Sequence, residues 1–499
     1  MRKEVNRLRR NLLALGGLAL LGLQARDDGI VRPSEAQTKP TFNVFDYLTP
    51  TQVADVKAYT YRFDVAPAIE RAFATAKAAG GGTVIAPAGG YLLGTSSKDP
   101  NGIYSYITAR DGVSFMGEGM NRTVLKVKAG EIARFNGTNG PTIIGTQQAT
   151  PLRDCSFSYF SVDWDGPNNL LKSTDTPRNS ASIISVNGGI NITCTEVRSI
   201  STPGNQCIFF PAFKEQGQGN IKLIRCEAYN CGSGLVGNYN TDHSSFYCNG
   251  TGLVYDNLRG DAQQMVVGAL FELHGSEAQA IGCRSNNYSL GFWIASNYQP
   301  IKNIKVSNAR HTMARSAFSL SAEKYAVDNV EIATSEFQQA PGLGSAGPSY
   351  FVNGNTIAAC NLLYVHDCTF RGQSYSFMRF LQLFKIANFR FETNTVNSFA
   401  TYGILGTGLD IGGGRFISQL IVLNNTFNDV TNAIYANVPT LSADKINIQG
   451  NTFNRTARDY APAITITAKY STGNIGPNSY SPNYVTSVSG QPNGAAIAG

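Results

Sequence analysis

The strongest constraint on how this 499-residue chain folds is a short segment that recurs along its C-terminal half. Residues 424–427 read NNTF and residues 450–453 read GNTF, so an Asn and a Thr precede an apolar residue in each copy. The apolar positions are spaced by 33, 26, 31 and 26 residues, and they are Phe337, Phe370, Val396, Phe427 and Phe453. A unit of this size cannot bury its apolar face alone, so neighbouring units must stack. The variable period predicts a β-solenoid with about three short strands in each coil.

The residues around the repeat favour a solenoid over a β-sandwich, which is the alternative all-β architecture. An Asn just before the apolar position suits the corner of a coil, because its amide can bond the next coil and it tolerates left-handed backbone. A sandwich would show hairpin turns and stricter alternation, and the chain has few Asn-Gly hairpin signals. The hydrophobic fraction is 42% and the charged fraction is 15%, which together exclude a disordered chain.

A helix is predicted ahead of the repeats, at residues 65–79. Asp64 is placed to cap its N-terminus, and Pro67 lies in the first turn, where a missing N–H costs little. The apolar residues at helical spacing are Ile69, Ala72, Phe73 and Ala76. Three glycines at 80–82 are expected to end the helix, and residues 83–85 to form a short strand.

These segments resemble a known superfamily. The sequence DVAPAIERAFATAKAAGGGTVIAPAGGYLL at 64–93 resembles the N-terminal cap of pectate-lyase-like right-handed parallel β-helix proteins, in which NNTF and GNTF are also common. The sequence NVFDYLTPTQVADVKA at 43–58 resembles the lead-in segment of phage and prophage tailspikes. The resemblance, over about residues 43–455, implies an all-β, single-stranded right-handed parallel β-helix. It also implies an extracellular or virion enzyme that acts on long polysaccharides, often as a homotrimer, but not one particular reaction.

The N-terminus has the composition of an export signal. In residues 1–25, a basic stretch precedes an apolar run, and Ala25 offers a cleavage position. The alternative is an anchor helix of a virion component. No other apolar run is long enough for a membrane span. We therefore expect an extracellular mature protein, with a virion tail as the alternative setting.

The remaining chain divides into four parts by composition and pattern. We expect a linker at 26–42, an N-terminal cap and the start of the β-helix at 43–99, the β-helix itself at 100–455, and a C-terminal cap or subunit-contact tail at 456–499.

Charge and cysteine content exclude several classes of partner. The net charge is +7, of which residues 1–25 carry +4, and the remaining +3 is too weak to indicate a nucleic-acid partner. The nine cysteines include no CxxC pair, and most lie in short apolar patterns. We therefore expect reduced core thiols rather than a disulfide framework or a zinc site, and we predict no metal or cofactor.

The residues that could act on a glycan are densest between positions 238 and 300. Hydrolysis of a glycosidic bond uses two carboxyl groups, and on a solenoid these come from adjacent coils. Asp242 and Glu272 are 30 residues apart, which is about one coil of the repeat. His243, His274 and Asp261 lie in the same region and are predicted to assist.

Strand alternation predicts which of these side chains face outward. In the run from Phe271 to His274, the apolar residues take one face, and Glu272 and His274 take the other. Trp293 faces outward if its neighbours Phe292 and Ile294 face inward, and it would then offer a flat apolar surface to a sugar. Tyr288 and Tyr298 are predicted to extend this platform.

Asp163 and Asp165 form a second-choice catalytic pair. Two carboxylates two residues apart on a strand share a face, with Trp164 on the other. The competing interpretation is a strand that ends in an Asp-Gly turn.

Comparison with polygalacturonase and pectate lyase motifs narrows the types of reaction that the sequence supports. Asn240-Thr241-Asp242 matches the first polygalacturonase motif and His274-Gly275 half of a later one, but the Asp-Asp pair is absent. No cluster of carboxylates indicates the calcium site of a pectate lyase. We therefore predict an enzyme that hydrolyses glycosidic bonds of a bacterial surface or plant-type polysaccharide. The alternatives are a polysaccharide lyase and a non-enzymatic glycan-binding tailspike or adhesin.

Overall fold

The computed structural model describes residues 39–98, 104–135, 140–146, 150–171, 181–211, 218–232, 243–262, 268–296, 299–321, 325–340, 352–355, 359–372, 376–381, 385–398, 407–410, 416–436, 442–457, 462–466, 469–484, 488–489 and 496–497. The predicted signal at 1–25 and most of the predicted linker at 26–42 lie outside these residues.

Short alternating segments fold into strands, as the sequence predicts. Numbered in chain order, the strands are β1 (Thr41–Asn43), β2 (Gly82–Ile85), β3 (Gly89–Leu93), β4 (Ser97–Lys98), β5 (Tyr104–Thr108), β6 (Val113–Met116), β7 (Thr123–Val127), β8 (Thr142–Thr146), β9 (Leu152–Asp163), β10 (Ile184–Val186), β11 (Gly189–Ile200), β12 (Ile208–Phe210), β13 (Gly219–Ile224), β14 (Glu227–Tyr229), β15 (Ser244–Thr251), β16 (Val254–Asp256), β17 (Arg259–Asp261), β18 (Ala269–Ser276), β19 (Ala278–Ile281), β20 (Arg284–Ala295), β21 (Ile301–Ser307), β22 (Arg310–Ser321), β23 (Val327–Ala333), β24 (Glu336–Gln339), β25 (Val352–Asn355), β26 (Ala359–His366), β27 (Thr369–Gly372), β28 (Ser376–Leu381), β29 (Lys385–Glu392), β30 (Thr395–Ser398), β31 (Thr407–Asp410), β32 (Phe416–Leu423), β33 (Thr426–Asn428), β34 (Thr431–Ala436), β35 (Ser442–Gln449), β36 (Thr452–Asn454), β37 (Ile464–Ile466), β38 (Lys469–Ile475), β39 (Ser479–Tyr480), β40 (Val488–Ser489) and β41 (Ala496–Ile497).

The strands stack into three parallel sheets along the solenoid. Sheet 1 contains β1, β2, β6, β9, β11, β13, β16, β19, β21, β23, β26, β29, β32, β35, β38 and β41. Sheet 2 contains β3, β7, β14, β17, β24, β27, β30, β33, β36 and β39, and sheet 3 contains β5, β8, β10, β12, β15, β18, β25, β28, β31, β34, β37 and β40. The long strands β9 and β11 continue from sheet 1 into sheet 2, whereas β20 and β22 continue from sheet 2 into sheet 3. Among the described strands, only β4 pairs antiparallel, with β5.

The predicted repeat coincides with the strand register. Phe337, Phe370, Val396, Phe427 and Phe453 are direct partners on successive strands of sheet 2, so the five marked positions form one column. All five side chains are buried, and the rings of Phe427 and Phe453 stack with centroids 5.2 Å apart. The solenoid prediction is therefore confirmed.

Asparagines occupy the corner between sheets 1 and 2, as the repeat predicts. Asn425 accepts a hydrogen bond from the Asn394 backbone N–H at 2.8 Å, and its Nδ2 donates to Asn451 Oδ1 at 2.9 Å. Asn424 has left-handed backbone, with φ at 56°. A buried ladder of amides thus satisfies the backbone groups that each corner would otherwise leave without partners.

Two helices cover the first coil. Helix α1 (Pro50–Ala58) starts with a capping box between Thr49 and Gln52, and helix α2 (Ala66–Ala78) closely matches the predicted 65–79. The N-cap position of α2 is Val65 rather than Asp64, although Asp64 Oδ1 accepts the Ala66 N–H at 3.0 Å. The predicted apolar face of α2 is buried. Short 3-10 turns lie at Val44–Tyr47, Ile132–Phe135 and Gly166–Asn168.

Parallel pairing extends beyond the predicted span of 100–455 at both ends. Strands β1 and β2 pair before residue 100, and β37 and β38 pair with β40 and β41 after residue 455. The described parts of 456–499, where we expect a C-terminal cap or subunit-contact tail, therefore contain further coil strands.

The interior holds apolar residues and all nine cysteines. Each cysteine is buried and carries a free thiol, as predicted from the apolar context of most of them. None of the helices in the described ranges is both long and apolar enough to cross a membrane.

Candidate functional site

A column of large side chains runs along the outer face of sheet 3. Strand register places Phe209 beside Tyr247, Tyr247 beside Glu272, and Glu272 beside Trp293 on successive coils. Their strand neighbours Phe271, Leu273, Phe292 and Ile294 are fully buried in the core, so alternation directs Glu272 and Trp293 outward. The sequence prediction for these two residues matches this placement.

Both carboxylate oxygens of Glu272 are held by neighbouring side chains. Ser244, on the preceding coil, donates to Oε1, and His274 Nε2 lies 2.7 Å from Oε2. The phenol of Tyr255 donates to the Glu272 backbone carbonyl at 2.9 Å. Glu272 is 8% exposed, so its carboxyl group is fixed in orientation at the edge of solvent.

Aromatic rings flank this carboxyl group on the preceding coil. The ring of Tyr247 stacks on the imidazole of His274, with centroids 4.3 Å apart and an interplanar angle of 28°. Phe209 continues the column, and its ring centroid lies 5.1 Å from that of Tyr247. The stack restricts how His274 can rotate, and it therefore helps to hold the bond between His274 and Glu272.

Trp293 borders Glu272 on the following coil. Its side chain is partly exposed, whereas its indole N–H is buried and donates to no partner among the described residues. The exposed part of the indole ring can stack on a sugar ring.

Two of the predicted site residues lie inside the solenoid. His243 is fully buried between the Gly204 carbonyl at 2.8 Å and Ser245 Oγ at 3.0 Å, and burial lowers the pKa of His243 to about 4. Tyr288 is also fully buried, and its hydroxyl bonds Ser245 Oγ at 2.9 Å. Neither residue is exposed to a polymer on the outer wall, which corrects the assisting role predicted for His243 and the platform role predicted for Tyr288.

Asp261 lies away from Glu272. It belongs to sheet 2, where Asn287 Nδ2 donates to its Oδ1 at 3.1 Å. Asp242 and Tyr298 are outside the described residues. The strand partner of Glu272 on the preceding coil is Tyr247, 25 residues earlier, so the 30-residue spacing to Asp242 does not correspond to direct register.

The second-choice pair shares a single lysine. Lys126 Nζ is 3.9 Å from Asp163 Oδ2 and 4.0 Å from Asp165 Oδ2, while Trp164 is fully buried between the two. The Asp165 N–H donates to Asp163 Oδ1 at 2.8 Å, and Asp165 has left-handed backbone, with φ at 50°, just before Gly166. This geometry is the Asp-Gly turn that competed with the catalytic interpretation.

Ser244 and Tyr247 contact the candidate site although sequence reasoning did not select them. Both precede Glu272 by about one repeat, at 28 and 25 residues, so a register search for polar and aromatic residues one coil away would have found them. Within the ranges that the structure describes, no group of three or more His, Cys, Asp or Glu residues is arranged to hold a metal ion.

The comparisons with known proteins identify the fold. No protein-family model matches the chain, and no curated protein sequence matches it. Solved structures do match, and they show a right-handed parallel β-helix.

A double mutant of the tailspike of E. coli bacteriophage HK620, in complex with a pentasaccharide, is 14% identical, covers 92% of this chain and 78% of its own, and has a TM-score of 0.64. The tailspike without these mutations, also with a pentasaccharide, has 15% identity, the same coverage and a TM-score of 0.61. The A-module of the Azotobacter vinelandii mannuronan C-5 epimerase AlgE4 is 15% identical over 92% of this chain and 100% of its own, with a TM-score of 0.46.

Proposed function

We propose that this protein is a polysaccharide-degrading enzyme that hydrolyses glycosidic bonds and uses Glu272 as a catalytic carboxyl group. The observation that carries the proposal is the placement of Glu272 on the outer wall, with Ser244 and His274 on its oxygens and Trp293 beside it. The likeness to a tailspike solved with a pentasaccharide supports a glycan as the substrate class.

The neighbours of Glu272 give it the properties that this chemistry needs. Hydrogen bonds from Ser244 and His274 fix the carboxyl group, so little reorganisation is needed when a glycosidic oxygen or an anomeric carbon approaches. His274 is a positioning residue in this scheme, and Tyr247 holds its ring. A second carboxyl group completes the pair that hydrolysis requires, and Asp242 remains its predicted source.

Trp293 supplies the binding surface in this proposal. A sugar stacked on its indole lies one strand away from Glu272, since the two residues are direct partners in the sheet. Adjacent strands are about 4.8 Å apart, so a ring on Trp293 brings the next glycosidic bond close to the carboxyl group.

Glycan binding without cleavage is the second candidate function. Glu272 is only 8% exposed, and both of its oxygens are engaged by protein side chains. A carboxylate held in this way can serve as a hydrogen-bond acceptor in a binding groove without taking part in a reaction.

The cellular setting belongs to the proposal as well. The basic and apolar composition of residues 1–25 supports export to the extracellular space, and the likeness to a phage tailspike supports a virion tail as the alternative. A homotrimer, which the resemblance to tailspikes implies, is also part of the proposal.

Product analysis on a panel of bacterial capsules, O-antigens and pectins tests the proposed reaction. The account predicts new reducing ends that carry oxygen from isotopically labelled water and no unsaturated sugar. Unsaturated ends would overturn hydrolysis in favour of a lyase. Binding to a polymer that is never cut would overturn the enzyme and support the binding protein.

A further inference from the structure

An unusual column of like charges lies on the outer face of sheet 2. Arg259 on β17 is the direct strand partner of Arg284 on β20, which is the direct partner of Arg310 on β22. All three side chains are exposed. Like charges directly opposite each other on neighbouring strands are destabilising, so a column of three arginines lowers the stability of the empty wall.

The acidic residues around the column do not neutralise its centre. Glu227 is the direct strand partner of Arg259 but is bound by Arg198 at 2.7 Å, and Glu336, the direct strand partner of Arg310, pairs with that arginine at 2.9 Å. Within the described part of the chain, neither Arg259 nor Arg284 has a carboxylate within ion-pair distance. Asp261, two residues after Arg259, is instead bound by Asn287.

The end of the column that holds Arg284 and Arg310 borders a shallow groove of about 370 Å³. Arg284 and Arg310 line it together with Arg371, which lies two coils beyond Arg310. The lining also includes the Glu336 carboxylate, which is paired with Arg310, and uncharged hydrogen-bonding groups, among them Asn286, Thr312, Gln338 and Thr369. Planar guanidinium groups beside amides and hydroxyls suit a ligand that combines anionic groups with hydroxyl groups.

We propose that this arginine column binds an acidic polysaccharide and holds it along sheet 2, away from the Glu272 site on sheet 3. Consecutive arginines repeat about every 4.8 Å along the solenoid, so a polymer with regularly spaced negative charges can engage several at once. The polymer then supplies the counter-charge that Arg259 and Arg284 lack within the described part of the wall. This inference rests on the proposed glycan function and adds the charge of the substrate class to it.

Binding by the full-length double variant Arg259→Gln/Arg284→Gln tests the proposal. Arg153→Gln/Lys222→Gln is the matched control, because it removes two exposed positive charges from sheet 1. The immobilised probes are polygalacturonate, dextran sulfate, neutral dextran and double-stranded DNA, at physiological ionic strength. Thermal unfolding of each variant checks that it folds.

The expected result is binding to an acidic polysaccharide in preference to neutral dextran, weakened about tenfold or more in the arginine variant and changed less than about twofold in the control. Preference for polygalacturonate assigns carboxylates as the recognised groups, and preference for dextran sulfate assigns sulfate esters. Equal binding to neutral dextran, equal loss in the control, or tighter binding to DNA than to either acidic glycan overturns the proposal. The readout is binding rather than cleavage, so a protein that binds in this way but never cuts refutes only the proposed reaction.

Discussion

At the scale of single residues, burial separates the histidines of this chain into different roles. His274 contacts Glu272 near the surface, whereas His243 and His311 are enclosed in the core. His311 bonds Ser285 Oγ through Nδ1 at 2.6 Å and stacks on the ring of Phe337. Burial lowers the pKa of His243 to about 4 and that of His311 to about 3, so both rings are neutral in the folded protein near neutral pH.

These two histidines predict that the folded state loses stability in mild acid. The unfolded chain takes up protons at an ordinary histidine pKa of 6.5, but the folded protein does so only near 4 and 3. The stabilising contribution is therefore complete above pH 6.5 and is lost as the pH falls toward 4. Each histidine costs on the order of 2 kcal/mol at pH 5, which urea unfolding at pH 7 and pH 5 would measure.

The variant His311→Phe isolates one of the two contributions. Phenylalanine suits the surrounding rings of Phe271, Phe292 and Phe337 but cannot take up a proton. Its free energy of unfolding should change less between pH 7 and pH 5 than that of the unmodified protein. An unchanged pH dependence would contradict a buried neutral imidazole at this position.

Alternation predicted the outward residues correctly only where the strand pattern is regular. Glu272, His274 and Trp293 follow the pattern set by their buried neighbours. Around Tyr288, strand β20 departs from strict alternation, because Ser289 beside it is also buried and the register to β22 shifts on both sides of Tyr288. His243 precedes β15, where no strand pattern applies, and its burial depends on contacts with another coil that the sequence does not show.

At the scale of elements, the residue at the corner between sheets 1 and 2 changes in chemical character along the solenoid. Cys283, Cys368, Asn394 and Asn425 each accept, through the backbone carbonyl, a hydrogen bond from the first residue of the sheet 2 strand on the next coil. Earlier coils fill the corner with a cysteine or with another small or apolar residue such as Leu258, Ala309 or Ser335, and later coils fill it with an amide that bonds both neighbouring coils. The repeat is recognisable in the sequence only in the later coils, because there the corner position must be an Asn to supply the bonding amide.

Replacing one amide of this ladder should destabilise the solenoid strongly. In Asn425→Ala, the Asn394 N–H and the Phe391 carbonyl lose the buried partners that Asn425 provides. Unsatisfied buried groups cost about 1–3 kcal/mol each, so we expect a loss of about 3 kcal/mol in the free energy of unfolding. Chemical denaturation measures it.

The exposed Asn454 is the matched control for this change. It bonds Asn428 at 2.8 Å on the outer wall, so Asn454→Ala should cost less than about 0.5 kcal/mol. Equal losses in the two variants would show that the buried ladder contributes nothing special to stability.

Of the two helices, one was predicted from the sequence and the other was not. Helix α2 was predicted from its apolar spacing and the glycines that follow it. Helix α1 was not predicted, although Thr49, Pro50 and Gln52 form the N-terminal signal of a capping box with proline at the first position.

At the scale of the whole molecule, the fold could be predicted from the sequence because every coil must bury an apolar side chain at an equivalent position. A column such as Phe337 to Phe453 appears in the sequence as a period, and the strand register confirms it. The residues of the candidate site do not recur from coil to coil. The site combines single residues from several coils, and neither Ser244 nor Tyr247 repeats elsewhere in a way that marks its position.

The continuous core predicts how the thiols respond to unfolding. All nine cysteines are buried, and burial raises the pKa of Cys226, Cys248, Cys283 and Cys368 to about 12. A thiol reagent needs access to the thiolate, so labelling of the native protein should be slow and should approach nine groups only after denaturation. Rapid labelling of several cysteines in the native state, detected by intact mass, would contradict a closed core.

We propose that this solenoid cleaves a glycan with the Glu272 carboxyl group, and turnover by Glu272→Gln on a cleavable polysaccharide tests this proposal most directly. Glu277→Gln is the matched control, because Glu277 is exposed and follows the same strand. We predict that Glu272→Gln lowers turnover by about 10²–10⁴-fold while polymer binding stays nearly intact, and that Glu277→Gln has no such effect. Near-native turnover by Glu272→Gln would contradict the claim.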